Sequence, residues 1–272
     1  MSSSQWLRLL KNVGIWQGSF TQFSPDGTLI KNTPTLINLE GLNDNQTIKL
    51  TVNRLDSNEP PHINEFTNLN RNIFLFEDGH FAKGSQQFSP FSVFGAEFGF
   101  FVDDRRLRMV QLFNKESNLE QVTLIREFRA NGHGVERSPL TINQLEGEWQ
   151  GEALTLYPDW RNTDSYTTNL IVKKEGNNII QTLKTPELNI TSQGKIDGNI
   201  ITFSENNQDI RILLLPDGAS STTPLKIENR QSFFVECAWL VEPNQRLRLI
   251  RQYDDKGAWI NVTLVKETKI LI

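Results

Sequence analysis

Two pairs of arginines carry the clearest binding chemistry in this 272-residue sequence: Arg106 with Arg108, and Arg246 with Arg248. Side chains alternate across an extended strand, so each pair points to one face, and Leu247 and Leu249 take the other. A guanidinium is a planar fork that binds a carboxylate bidentately. If the arginine face lines a cavity, the pair suits a small ligand carrying carboxylates. If it faces solvent, the arginines are solvated charges beside acidic partners. The sequence leaves both open. Other chemistry is sparse. His62, His80 and His133 have no ligand-set spacing. No Ser-His-Asp set, Gly-x-Ser-x-Gly or phosphate-binding glycine loop occurs. No catalytic residue and no metal ligand is therefore nominated. The single Cys237 excludes an internal disulfide, and its neighbours Phe234, Val235, Ala238 and Trp239 predict a buried, inert thiol.

The elements that position these residues are written twice. Gly14-Ile15-Trp16-Gln17-Gly18 recurs as Gly147-Glu148-Trp149-Gln150-Gly151. Leu75-Phe76-Glu77-Asp78-Gly79 recurs as Leu214-Leu215-Pro216-Asp217-Gly218. Arg106-Leu107-Arg108-Met109-Val110 recurs as Arg246-Leu247-Arg248-Leu249-Ile250, and Val122-Thr123-Leu124-Ile125-Arg126-Glu127 as Val262-Thr263-Leu264-Val265-Lys266-Glu267. The blocks keep their order and nearly their spacing, so each half is a whole domain. We place the domains at residues 1–129 and 130–272, with a flexible, glycine-containing linker at 130–137. Residues 2–12 predict a short helix with Trp6, Leu9, Leu10 and Val13 on one stripe, capped by Ser3 or Ser4. Ser138 and Pro139 predict the start of its counterpart. Elsewhere short β-branched runs alternate with turn pairs such as Asp26-Gly27 and Asp197-Gly198, the pattern of an all-β sandwich or barrel. Pro60-Pro61 disfavours a central strand in residues 56–72. The run Phe88, Phe91, Phe94, Phe98, Phe100, Phe101 is expected to fill the first barrel, or else to face the second domain or a partner.

Composition bounds the function classes. The chain is 37% hydrophobic and 22% charged, with a formal net charge of −4. That balance is globular and lacks the basic footprint of a nucleic-acid binder. No apolar run is long enough to span a membrane, and residues 1–13 do not read as a signal peptide, so a cytoplasmic location is expected.

A short helix, Gly-x-Trp on the first strand and about eight to ten antiparallel strands per half resemble the lipocalin-like (calycin) barrels. The resemblance implies two tandem antiparallel β-barrels related by duplication. It implies that Trp16 and Trp149 plug one end of each, with Arg126 and Lys266 in the last strands as their basic partners. The segment Glu236-Cys237-Ala238-Trp239 followed by Pro243-Asn244-Gln245-Arg246-Leu247-Arg248 resembles the S-type phycobiliprotein lyases of cyanobacteria, and Glu97, Phe100, Phe101, Arg106 and Arg108 echo it in the first half. After the Trp the chain departs from the lyases, with Gln17-Gly18-Ser19 and Gln150-Gly151-Glu152 where they carry a Ser-x-Arg pattern. Over its length the chain resembles a cyanobacterial and plastid family of unknown function built from two lipocalin-like domains. Arg251-Gln252-Tyr253 resembles the carboxylate-holding Arg-x-Tyr pair of fatty-acid-binding barrels.

These readings imply a non-catalytic barrel that binds a small hydrophobic, carboxylated molecule, with a bilin or other tetrapyrrole ahead of a fatty acid. The candidate site is Arg246, Arg248, Glu236 and Trp239, with Arg106 and Arg108. The alternatives are a chromophore lyase or chaperone acting on a phycobiliprotein, and a protein-interaction module whose barrels are filled by side chains.

Overall fold

Apolar and polar residues alternating between turns become antiparallel strands, each burying one row of side chains. The structure, a computed structural model, describes residues 4–205 and 208–270. The first half opens with α1 (Ser4–Leu10) and continues through β1 (Gly14–Phe23), β2 (Leu29–Leu42), β3 (Thr47–Arg54), β4 (His62–Phe66), β5 (Ile73–Leu75), β6 (Phe81–Gly84), β7 (Phe94–Val102), β8 (Arg105–Phe113) and β9 (Leu119–Arg129). The second opens with α2 (Ile142–Leu145), followed by β10 (Gly147–Leu156), β11 (Asp164–Glu175), β12 (Asn178–Lys184), β13 (Asn189–Asp197) and β14 (Ile200–Glu205). It ends with β15 (Gln208–Leu214), β16 (Ala219–Pro224), β17 (Phe233–Glu242), β18 (Gln245–Tyr253) and β19 (Trp259–Ile270). Ser2 and Ser3, in the expected first helix, lie outside the described residues. The second helix starts later than Ser138 predicts. Thr141 caps it, and its backbone N–H donates to Gln144 Oε1 at 2.8 Å.

The fold is all-β in two tandem domains, but the halves do not close alike. In the second, β10 pairs with β11 on one side and β19 on the other, completing a closed barrel. In the first, the nine strands run β4-β3-β2-β1-β9-β8-β7-β6-β5 and remain open between β4 and β5. The repeat locates the difference. β5 and β6 correspond to β15 and β16, so β14 has no counterpart, and residues 67–72 lead straight from β4 to β5. Pro60 and Pro61 precede β4, which is an edge strand, where a missing N–H donor is tolerated.

The largest apolar cluster lies between the domains rather than inside either barrel. In β7, alternation sends Phe94, Ala96, Phe98 and Phe100 to the outer face, and in β17 it sends Phe233, Val235, Cys237 and Trp239 there. These faces pack on each other, so β17 is buried on both sides. Residues matched by the repeat meet. Phe94 meets Phe233 with ring centroids 5.4 Å apart, and Phe100 meets Trp239 at 6.3 Å. This is the isologous pattern of a two-fold dimer, here within one chain. The aromatic run therefore builds the interface. Phe101 alone of its strand members turns inward, and Phe91 is exposed. The interface also carries backbone bonds, among them Phe88 N to Gly257 O at 2.7 Å and Leu119 N to Leu225 O at 2.8 Å.

The linker is pinned rather than free. Arg105 of the first domain donates to Val135 O and pairs with the fully buried Asp217 of the second. Asp217 also accepts the Arg137 N–H at 2.8 Å. Cβ atoms on Gly132 or Gly134 would crowd Asp104 and Arg105, so these glycines serve close packing.

Candidate functional site

Each domain is plugged at one end by its Gly-x-Trp tryptophan. Trp16 and Trp149 are wholly buried, and each Nε1 donates to the carbonyl four residues back, Asn12 O at 2.9 Å and Leu145 O at 2.8 Å. Two cations cover each indole. Arg106 and Arg129 stand 4.5 Å from the Trp16 ring, while Arg246 stands 4.6 Å and Lys269 5.1 Å from the Trp149 ring. The basic partners from the last strands are thus Arg129 and Lys269, not Arg126 and Lys266. The antiparallel register decides this, because it sets Trp16 opposite Arg129 and Trp149 opposite Lys269. Arg126 instead bonds Thr21 and Glu136, and Lys266 pairs with Asp78 of the first domain. The glycines of the motif make room. A Cβ on Gly14, at φ +142°, would lie 2.3 Å from Arg129 Nη1.

Inside each barrel, the paired arginines face inward and meet carboxylates. In the first, Arg106 Nε donates to Glu127 Oε2 at 2.6 Å, and Arg108 reaches Glu127 through Nη2 and Glu97 through Nη1, both at 2.8 Å. Lys83 adds a contact to Glu97 at 3.2 Å. In the second, Arg246 Nε donates to Glu267 Oε2 at 2.6 Å. Arg248 grips Glu236 with Nε at 3.1 Å and Nη2 at 2.7 Å, and reaches Glu267 with Nη1 at 3.0 Å. Burial alone would raise the Glu127 carboxyl, but Arg106 and Arg108 overcome it and hold it down at about 2. Glu267 is likewise lowered, burial being outweighed by Arg246 and Arg248. Burial works against the Arg248 charge, and Glu236 and Glu267 more than compensate, raising its pKa. The arginines thus hold Glu127 and Glu267 in their charged form.

A cavity of about 310 Å³ opens beside the second cluster. One wall is apolar, with Leu170, Leu183, Phe203 and Ile212. The other carries Ser220, Thr222, Glu236, Arg246 and Arg248. The strands of the polar wall, β16, β17 and β18, are those whose outer faces lie on the first domain.

Of the nominated residues, the structure brings Glu236, Arg246 and Arg248 together on this wall, and sets Arg106 and Arg108 in the equivalent place of the first domain. Trp239 is not among them. It lies three residues from Glu236 and so on the opposite face of β17, where its Nε1 donates to Asp217 O at 2.9 Å. Arg251 and Tyr253 also face the interface. Arg251 stands 3.8 Å from the Trp259 ring, and Tyr253 OH donates to Ser85 O of the first domain at 2.8 Å. The sequence reading passed over Glu127 and Glu267 as partners, although the repeated block that ends in them was visible. It also passed over Ser220 and Thr222, which carry no motif. Cys237 is fully buried, and burial, with Glu236 adding, raises its thiol pKa. Among the described residues, no group of three or more His, Cys, Asp or Glu could hold a metal ion. No helix among them is long and apolar enough to cross a membrane.

Residues 2–132 match the model of the N-terminal domain of DUF3598, a domain of unknown function. Residues 136–270 match the C-terminal domain of biogenesis factor required for ATP synthase 1. A crystal structure of a DUF3598-family protein of unknown function from Nostoc punctiforme is 44% identical, with a TM-score of 0.94, covering 99% of this chain and 100% of that one. The S-type phycobiliprotein lyase CPES from Guillardia theta is 9% identical, with a TM-score of 0.39 over 48% of this chain and 91% of that one, which is too distant to carry an argument. No curated protein matches.

Proposed function

The chain belongs to the DUF3598 family, and from that premise we propose that it is a non-catalytic binding protein that serves biogenesis of the ATP synthase. The observation that carries this reading is the match of residues 136–270, the whole second barrel, to the C-terminal domain of biogenesis factor required for ATP synthase 1. The packing supports it. Two barrels fused through a buried aromatic interface make a rigid body, which presents a defined surface at little ordering cost on binding. Deleting the gene in the native organism should lower the amount of assembled ATP synthase while its subunit transcripts persist. An unchanged amount of assembled enzyme would end this reading.

A second reading is favoured by the cavity of about 310 Å³. Its size is at the small end of ligand pockets, roughly 300–1,000 Å³. On this reading the second lumen takes one small hydrophobic molecule, with Glu236, Arg246 and Arg248 beside it. Bilins, haem and fatty acids, the carboxylated candidates that the sequence suggests, are titrated beside neutral apolar molecules, and binding of a bilin would imply a phycobiliprotein partner. Leu183→Trp fills the lumen and should abolish binding of the neutral reporter N-phenyl-1-naphthylamine. Unchanged binding in that variant would place the reporter outside the lumen.

A further inference from the structure

We propose that the second lumen selects an uncharged, largely apolar molecule bearing hydroxyl or carbonyl groups, and rejects the matching carboxylate. This rests on the lumen-binding reading above and names its ligand class.

The charged groups of the polar wall already balance one another, and Arg246 is tied to Glu267 through Nε, with its Nη2 2.6 Å from the same carboxylate but making no hydrogen bond. Two guanidiniums face two carboxylates, and Arg248 uses Nε, Nη1 and Nη2 on Glu236 and Glu267. An entering carboxylate would have to displace Glu236, or add an unbalanced charge to a site shielded from water, and both are costly. The neutral polar groups are in the opposite condition. Gln181, Ser192, Ser220 and Thr222 line the same cavity, and their side chains have no hydrogen-bond partner among the described residues. They can donate and accept, which suits an alcohol, ketone or amide. The facing apolar wall suits a hydrocarbon body. The first domain sharpens the point. By register, Lys83 stands where the second domain has Thr222, and Phe81 where it has Ser220. The uncharged hydroxyl lining is thus a property of the second lumen.

The test uses the full chain and matched isoprenoid probes, geraniol and geranic acid, which displace N-phenyl-1-naphthylamine at a pH where the acid is ionised. Geraniol should displace the reporter at a concentration at least about tenfold lower than geranic acid, as expected when a charge is buried without a free partner. Glu236→Gln frees part of the Arg248 fork and should reverse the order. Glu97→Gln, the same change in the first domain, should leave it as in the wild type. Thr222→Val keeps the shape and should weaken geraniol by about three- to tenfold while leaving the reporter unaffected. Geranic acid binding as tightly as geraniol in the wild type would overturn the ligand class. So would an unchanged order in folded Glu236→Gln. Failure of the reporter and both probes to bind folded protein would overturn the lumen reading itself, and this inference with it.

Discussion

The two domains share a frame and differ in what it encloses. Each holds a tryptophan plug under two cations and a cluster in which two arginines meet two glutamates. In the first, Phe20, Phe81 and Phe101 pack around the plug cluster. At the matching register positions the second has Ala153, Ser220 and Leu240. Phe81 lies across Gly99, where a Cβ would sit 2.1 Å from the ring, while the second domain has Ala238 beside the short Ser220. One frame is therefore open at its edge and lined by aromatics, and the other is closed and hollow. Features present twice serve the architecture, since each domain needs its strands tied. Features present once, the room and the neutral hydroxyls, are those on which the proposed recognition rests. The same logic applies to the Arg–Glu clusters, whose recurrence in both domains marks them as ties between strands.

The largest expected effects test whether the frames are equivalent. Trp16→Ala and Trp149→Ala should each destabilise by about 3–5 kcal/mol, as large-to-small changes at buried aromatics do. The denaturant midpoint should move at unchanged slope. A loss below about 1 kcal/mol in one domain alone would break the equivalence.

The equivalent acidic turns sharpen the contrast. Asp217 is buried between Arg105, Arg137 and Trp239, and removing one partner of a buried pair costs about 3–5 kcal/mol, so Asp217→Asn should weaken the whole body. Its repeat counterpart Asp78 pairs with Lys266 at the surface.

Acid titration separates the domains next. Glu127 and Glu267 have lowered values when folded, so the stability they contribute is full above their ordinary value of 4.5 and falls as pH drops, towards about 2 for Glu127. This limb should be common to both domains. His80, in the first domain only, is pushed by burial from 6.5 to about 4. The unfolded chain binds its proton first, so stability should already decline as pH falls from 6.5 towards 4. Chemical denaturation across this range should show the early decline in the wild type and lose it in His80→Gln. An early decline that persists would assign it elsewhere. The smallest effect is expected from Asp78→Asn, about 0–1 kcal/mol for an exposed pair. A loss as large as that of Asp217→Asn would erase the difference between the two turns.

Much of this fold was legible in the residues. Duplication, the strand-rich halves and the shared strand face of Arg246 and Arg248 follow from repeated blocks and period-two alternation, and the tryptophan plugs from the lipocalin-like resemblance; the sequence leaves open whether the arginine face is the lumen. The glutamates that meet these arginines were legible in principle, because Glu127 and Glu267 close a repeated block. The second face of a strand was not. Val235, Cys237 and Trp239 read as core residues, but alternation alone does not say whether a buried row meets a lumen or another domain. For the same reason the Phe-rich run reads first as filling of the barrel interior, with the second domain as the alternative that holds, and the Arg251–Tyr253 pair reads as part of a barrel when it belongs to the interface.

The sequence by itself determined the local periods, the internal repeat and the residue types of each strand face, because these depend on neighbours along the chain. The tertiary structure decided which faces are covered, which barrel closes, and that the lumen arginines already have partners. Those outcomes depend on the register between distant strands and on the docking of one domain against the other, and a single added strand, β14, separates a closed hollow barrel from an open one.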